Sequence, residues 1–306
     1  MLPGAPPGLA SEERAHFSSA RTKRATAARH GAAGMISLSS VRGTTKGGRA
    51  ALARAIALPD DIVAYKEGQK SVIDASALMT KAGTDKLLAA AGVDPDTVFA
   101  ARPTHGPLGV TLSMTAKTSY QEYMSPNIIG MIEGSDPVLK DEYVVLTAHL
   151  DHVGRLTSVQ NRVDVINNGA LDNAMGTATL LEEARRFVGD AMKPKRSLLF
   201  LALTAEEKGL LGSEYFAEYP TVSAEAMIAN VNLDMPIALF DFTDVIAFGA
   251  QHSSLRETTI TAAAKLNIDV NPDPMPEQAL FDRSDHYNFV KKGIPTEFLF
   301  LGYGNA

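Results

Sequence analysis

At 306 residues and 45% hydrophobic content, the chain has enough apolar material for one large core or two domains. A formal net charge of −6 leaves no broad basic surface to neutralise a phosphate backbone, which argues against nucleic acid as a partner. The absence of cysteine excludes a disulfide framework, a thiolate metal site and a cysteine nucleophile, so any metal must be held by His, Asp and Glu.

The first hundred or so residues are rich in alanine. Residues 20–30 predict a basic helix, and the apolar run 31–38 a turn and a strand. His16, His30 and His105 stand among polar neighbours and read as surface or capping residues. From about Leu108 the pattern changes to short apolar runs between helical segments. Strands are predicted at 143–148, 197–204, 227–233, 245–249 and 296–301, with helices at 175–188, 211–218, 253–266 and 285–291. That alternation predicts an α/β three-layer sandwich with a mixed, largely parallel sheet buried on both faces. No apolar run approaches the roughly 18–20 residues of a membrane span, and the start, Met1 to Gly8, carries no export signal.

Functional groups of such sheets gather at the carboxyl ends of the strands. The first strand runs into His149-Leu150-Asp151-His152, an imidazole with a carboxylate two residues on. A ligating imidazole usually donates its second N–H to an acceptor that fixes the tautomer, but this pattern alone is weak. Next, Gly169-Ala-Leu-Asp172-Asn173 opens a helix, where Asp172 or Asn173 would by itself be an ordinary N-cap. The strand 197–204 leads into Glu206-Glu207, usually a solvated pair, and the strand 227–233 leads into Asp234. Chance would supply one or two such groups; His or carboxylate at every central strand end is what a divalent metal centre without cysteine requires.

Together these segments resemble the ordered motif set of the M28 zinc peptidases: His149-Leu-Asp151, Ala170-Leu-Asp172-Asn173, Glu206-Glu207-Lys-Gly-Leu-Leu-Gly-Ser213, Asn232-Leu-Asp234-Met235 and Ser284-Asp285-His286. The likeness runs from about Asn127 to Gly302. It implies two Zn2+ ions, with Co2+ or Mn2+ also accepting the ligand set. His149 and Asp234 would hold one, Glu207 the other, and Asp172 would bridge both. Asp151 would orient His149. Glu206 would act as general base, taking a proton from a metal-activated water and passing it to the leaving amine. The resemblance also implies a cis peptide between Asp172 and Asn173. His152, Asp285, His286 and Tyr287 are expected to line or support the substrate pocket.

In that family the last ligand of the second zinc is a His beyond the strand 296–301, whereas this sequence stops at Asn305-Ala306. The expectation is a chain truncated at the C-terminus and at the N-terminus too, with an incomplete second site of lower affinity and weak or absent activity. Ala25 to Ile36 bears a less specific resemblance to the protease-associated domain, against the plainer reading of a helix followed by a core strand. This divides the chain into a partial, smaller α+β protease-associated-like domain with linker at 1–125 and a zinc peptidase domain at 126–306.

The activity implied is that of a metal-dependent exopeptidase on a peptide substrate, most often an aminopeptidase. A carboxypeptidase acting on acidic dipeptides would want an arginine cluster. One alternative is a single-zinc acyltransferase of the glutaminyl-cyclase kind, which a full His149 and Asp234 pair around Asp172 disfavours. Another is a non-catalytic interaction module, which the retention of His149, Asp172, Glu206, Glu207 and Asp234 disfavours. Relatives of this kind are commonly exported, so a periplasmic or extracellular location is the expectation.

Overall fold

The computed structural model describes residues 4–6, 8–38, 73, 75–99, 106–115, 119, 121–155, 164–189, 193–237 and 240–301. They form two compact units, one ending at Glu122 and one beginning at Tyr123. His105 and the residues after Leu301, where the altered chain end was expected to matter, lie outside the described residues.

In the first unit, helices α1 (Ser11–Ser18) and α2 (Ala20–Arg29) precede strand β1 (Gly34–Leu38). Strand β2 (Ala75–Met79) pairs with β1 in parallel and runs into α3 (Lys81–Ala90) and the short helix α4 (Pro95–Val98). Thr80 starts α3 by accepting the Gly83 N–H at 3.1 Å, so one of the helix's otherwise unpaired amides is satisfied. Leu38, Leu87, Leu88 and Val98 form the core of this unit. His16 and His30 are exposed, as their polar neighbours imply.

The second unit is built on a sheet with the order β3-β5-β4-β6-β9-β7-β8. In chain order its elements are β3 (Ile128–Ile132), β4 (Tyr143–His149), α5 (Met175–Gly189), β5 (Ser197–Leu203), α6 (Leu211–Glu218), β6 (Met227–Leu233), β7 (Asp244–Phe248), α7 (Leu255–Ala264), β8 (Asp269–Asn271), α8 (His286–Val290) and β9 (Thr296–Leu301). The pairs β4–β5, β4–β6, β6–β9 and β7–β8 are parallel, while β3–β5 and β7–β9 are antiparallel. Among the described residues no helix is long and apolar enough to cross a membrane.

Because successive strand side chains point to opposite faces, β4 and β5 must be apolar at nearly every position to be covered twice. Val145, Leu199, Leu201 and Leu203 pack on one face with Phe216 of α6 and Phe289 of α8. Leu146, Ala148, Leu198 and Phe200 pack on the other with Leu180 of α5. Each such buried Leu or Phe contributes roughly 1.5–3 kcal/mol, and together they fix the strands that carry the polar ends. Strand β3 has no counterpart in the sequence prediction. It is an edge strand with Ile128 and Met131 exposed, so it lacks the alternation that marks a half-buried strand.

Candidate metal centre

His149, the last residue of β4, stands in register with Leu203, the last residue of β5. On the other side Thr147 pairs with Asn232, two residues before Asp234. Three neighbouring parallel strands therefore release their chains at one edge, and the residues that follow them meet there.

The His149 ring is buried, and its Nδ1 donates to the backbone carbonyl of Asp151 at 3.0 Å. Nε2 then faces two carboxylates, lying 3.2 Å from Asp172 Oδ1 and 3.2 Å from Asp234 Oδ1. Burial alone would lower the imidazole pKa, but the contacts with Asp172 and Asp234 outweigh it and raise it to about 11. The same contact with His149 holds the Asp172 carboxyl below its usual range. The contact that orients His149 differs from the expectation, which assigned it to the Asp151 carboxylate. That group lies 4.0 Å from Nδ1 and accepts the Glu206 N–H at 3.3 Å instead, because the chain leaving β4 turns its carbonyl toward the ring.

Asp234 is held from below by buried polar groups. Its Oδ2 accepts from Ser284 Oγ at 2.6 Å, and Ser284 Oγ accepts from Asn232 Nδ2 at 2.7 Å. Thr147 Oγ1 donates to Asn232 Oδ1 at 2.7 Å and accepts from Asn230 Nδ2 at 3.1 Å. Oδ1 is thereby left to face His149.

The loop before α5 brings Asp172 to the same edge. Its Asp172–Asn173 peptide is cis, as the resemblance implied. Asn173 is buried and donates to Leu233 O at 2.9 Å, while its Oδ1 accepts from Met235 N at 3.2 Å and Gly176 N at 3.1 Å. The N-cap reading therefore fits Asn173, whose side chain also ties the loop to both neighbours of Asp234. Gly169 has φ +64°, and a Cβ there would lie 2.6 Å from Asp172 O and 2.8 Å from His152 Cβ. Only glycine permits that approach.

A second group of donors lies beside the first. His152 Nδ1 is 2.6 Å from Glu207 Oε1 and 3.9 Å from Asp172 Oδ2, so the two oxygens of Asp172 serve different neighbours. His152 was expected to line or support a substrate pocket; the structure sets it beside Glu207, and Gly169 lets its loop approach that of Asp172. Burial, reinforced by the charge of Asp172, raises the Glu207 carboxyl. Burial together with the charge of Asp285 pushes Glu206 up to about 9, with His149 opposing and Asp234 and Glu207 adding to it.

The other expected pocket residues sit deeper. His286 is fully buried between Phe281 and Phe298, with ring centroids at 5.5 and 5.1 Å, and burial pushes its pKa down to about 3. It is a neutral core histidine, not a pocket wall. Asp285 is also fully buried, which raises its pKa to about 7. Both residues turn inward because α8 packs against α6, with Asn288 Nδ2 donating to Leu210 O at 2.9 Å and Ser213 Oγ at 2.7 Å. Tyr287 is half-buried, edge-on to Phe281 at 5.9 Å and beneath Lys291.

The donor set fits divalent cations. Ligands about 2.0–2.1 Å from a tetrahedral ion lie about 3.3 Å apart, close to the 3.2 Å separations around His149. Asp172, Glu207 and Asp234 have His149 and His152 as their only basic partners within 4 Å among the described residues. Glu207 Oε1 and His152 Nδ1 are buried without a hydrogen-bond partner. Such clustered negative charge is stable only when paired or coordinated to metal.

Sequence and structure comparisons relate the chain to known proteins. The aminopeptidase YwaD of Bacillus subtilis is 31% identical over 190 residues, 61% of this chain and 37% of that protein. The mouse (Mus musculus) aminopeptidase NAALADL1 is 31% identical over 137 residues, 43% of this chain and 16% of that protein. The chain thus spans well under half the length of these relatives. In the solved structures, an aminopeptidase from Aneurinibacillus sp. strain AM-1 shares the fold at a TM-score of 0.50 and 21% identity, over 92% of this chain and 58% of that one. The model of peptidase family M28 matches residues 127–305, more than half of the chain, and the chain belongs to that family.

Proposed function

We propose that the second unit carries the catalytic centre of a metal-dependent exopeptidase of the aminopeptidase type, with two divalent cations. The observation that carries this reading is Asp172, whose Oδ1 lies 3.2 Å from His149 and whose Oδ2 lies 3.9 Å from His152. One carboxylate faces two donor groups, as a bridging ligand must. His149 and Asp234 would hold one cation and Glu207 the other, with Asp172 serving both. When bound, the cations would supply Lewis-acid polarisation of a water and of the scissile carbonyl.

The chain's own residues do the remaining work. Asp151 accepts the Glu206 N–H and so anchors that residue at the rim. Glu206 is unpaired by any basic side chain within 4 Å among the described residues and is raised to about 9, chiefly by burial, which makes it a strong base once ionised. It takes a proton from the attacking water and delivers it to the nitrogen of the leaving amine as the C–N bond breaks. The second donor group favours this reading over a single-zinc acyltransferase. The domain preceding the sheet, with the likeness at 25–36, is read as a protease-associated-like module.

The test is hydrolysis of aminoacyl anilides by the chain loaded with Zn2+, Co2+ or Mn2+, beside the same substrates with a blocked amine. Turnover that requires the free amine supports the aminopeptidase reading. Cleavage confined to substrates with a free carboxylate would move it to carboxypeptidase, and cyclisation of amino-terminal glutamine to acyl transfer. Bound metal without any of these reactions would leave a non-catalytic module.

A further inference from the structure

We infer that His152 is a protein ligand of the second cation, acting through Nδ1 beside Glu207 Oε1 and Asp172 Oδ2. The inference rests on the metal-centre reading above and adds a donor that the family resemblance did not supply. His152, Asp172 and Glu207 each offer one ligand atom, and those atoms lie within 4.8 Å of one another. The same holds for His149, Asp172 and Asp234. Each group thus contains one imidazole, one carboxylate of its own and one oxygen of Asp172, a borderline donor set suited to zinc.

The alternative is an ordinary histidine–carboxylate hydrogen bond, and the geometry speaks against it. His152 Nδ1 and Glu207 Oε1 are buried and only 2.6 Å apart but poorly aligned for a hydrogen bond, so that although the contact with His152 lowers the Glu207 carboxyl, burial still leaves it raised. A proton between them would need the ring N–H aimed at the oxygen. A cation lying off the line between them needs two bare lone pairs, and binding it would part the two atoms from 2.6 Å to about 3.3 Å. Gly169 has no Cβ to hold His152 away from the loop of Asp172, so the approach is built into the backbone.

Metal-free protein titrated with Zn2+, and in parallel with Co2+ followed by its visible absorption, tests the inference without reference to turnover. The wild type should bind two equivalents. Changing the outer partner of a ligand costs about 10–100-fold in affinity, so loss of the ligand in His152→Ala should weaken the second equivalent by at least about 100-fold. The first equivalent should stay within about twofold, which also reports that the variant is folded. Glu207→Ala should behave alike, and His149→Ala should weaken the other equivalent. Should His152→Ala not fold, wild-type protein labelled with 15N-histidine answers the same question: filling the first site should shift an Nε2 resonance and filling the second an Nδ1 resonance. Two equivalents in His152→Ala at wild-type affinity, or no Nδ1 shift, would overturn the role of His152 while leaving the metal centre intact. A wild type that binds no cation would instead remove the metal-centre reading itself.

Discussion

The two donor groups meet at Asp172 but are held in different ways. His149 and Asp234 have side chains 1% and 11% exposed, sit at or just past strand ends, and are braced by the Asp151 carbonyl and Ser284. His152 and Glu207 are 23% and 19% exposed, lie on connecting loops, and have no hydrogen bond to the atoms that face each other. Ligands on rigid elements are preorganised, whereas ligands on loops are ordered only as the cation binds. The strand-end group should therefore be the tighter site, and the loop group the one whose occupancy is set by cation concentration.

The largest effect should come from the residue the two groups share. Asp172→Ala should weaken both equivalents in a zinc titration, whereas Asp234→Ala should weaken only the first and Glu207→Ala only the second. Two unperturbed equivalents in Asp172→Ala would mean that this carboxylate bridges nothing. Next in size, Glu206→Gln should lower kcat by about 100- to 10,000-fold with both cations still bound, since the residue is assigned to proton transfer and not to ligation. Loss of metal in that variant would reassign Glu206 as a ligand.

Smaller changes sharpen the contrast in bracing. Ser284→Ala removes the donor to Asp234 Oδ2 and strands Asn232 Nδ2. First-site affinity should fall about 10–100-fold with the second site unmoved; an equal loss at both sites would show that the two groups are not held separately. Acidity gives the last comparison. Against the effect of burial, Asp172 and Asp234 hold His149 as imidazolium up to about 11, so below that pH a cation must displace a proton from Nε2. First-site affinity should therefore rise about tenfold per pH unit through the neutral range. Calorimetry in buffers of differing ionisation enthalpy should record about one proton released, and a pH-independent first site would contradict the charge assigned to His149.

The sheet was readable where the chain announces it. Strands β6 and β9 and helix α6 occupy the predicted residues, and β4, β5, β7, α5, α7 and α8 differ from the expected ends by one or two residues. The edge strands β3 and β8 were not, because exposed or very short strands carry no strong apolar pattern. Within the site, Asn230 and Asn232 stand inside an otherwise apolar strand, and their burial is the sign that a polar support lies beneath Asp234. The Ser-Asp-His segment, expected to line or support the pocket, supplies Ser284 to Asp234 and sends His286 into an aromatic core, a division of roles that no local pattern marks.

Residue types at strand ends are local facts. A His or carboxylate directly after an apolar run is visible in a single chain, and so the kinds of donor and the sheet edge that bears them could be named from the residues alone, whereas the bridging role of Asp172 came only with the family resemblance. Which atoms meet is a matter of strand order, register and turn direction, all set by packing between segments distant in the chain. That packing turned the Asp151 carbonyl toward His149, brought His152 beside Glu207, and buried Asp285 and His286, and no local pattern encodes a contact that depends on two backbones approaching at once.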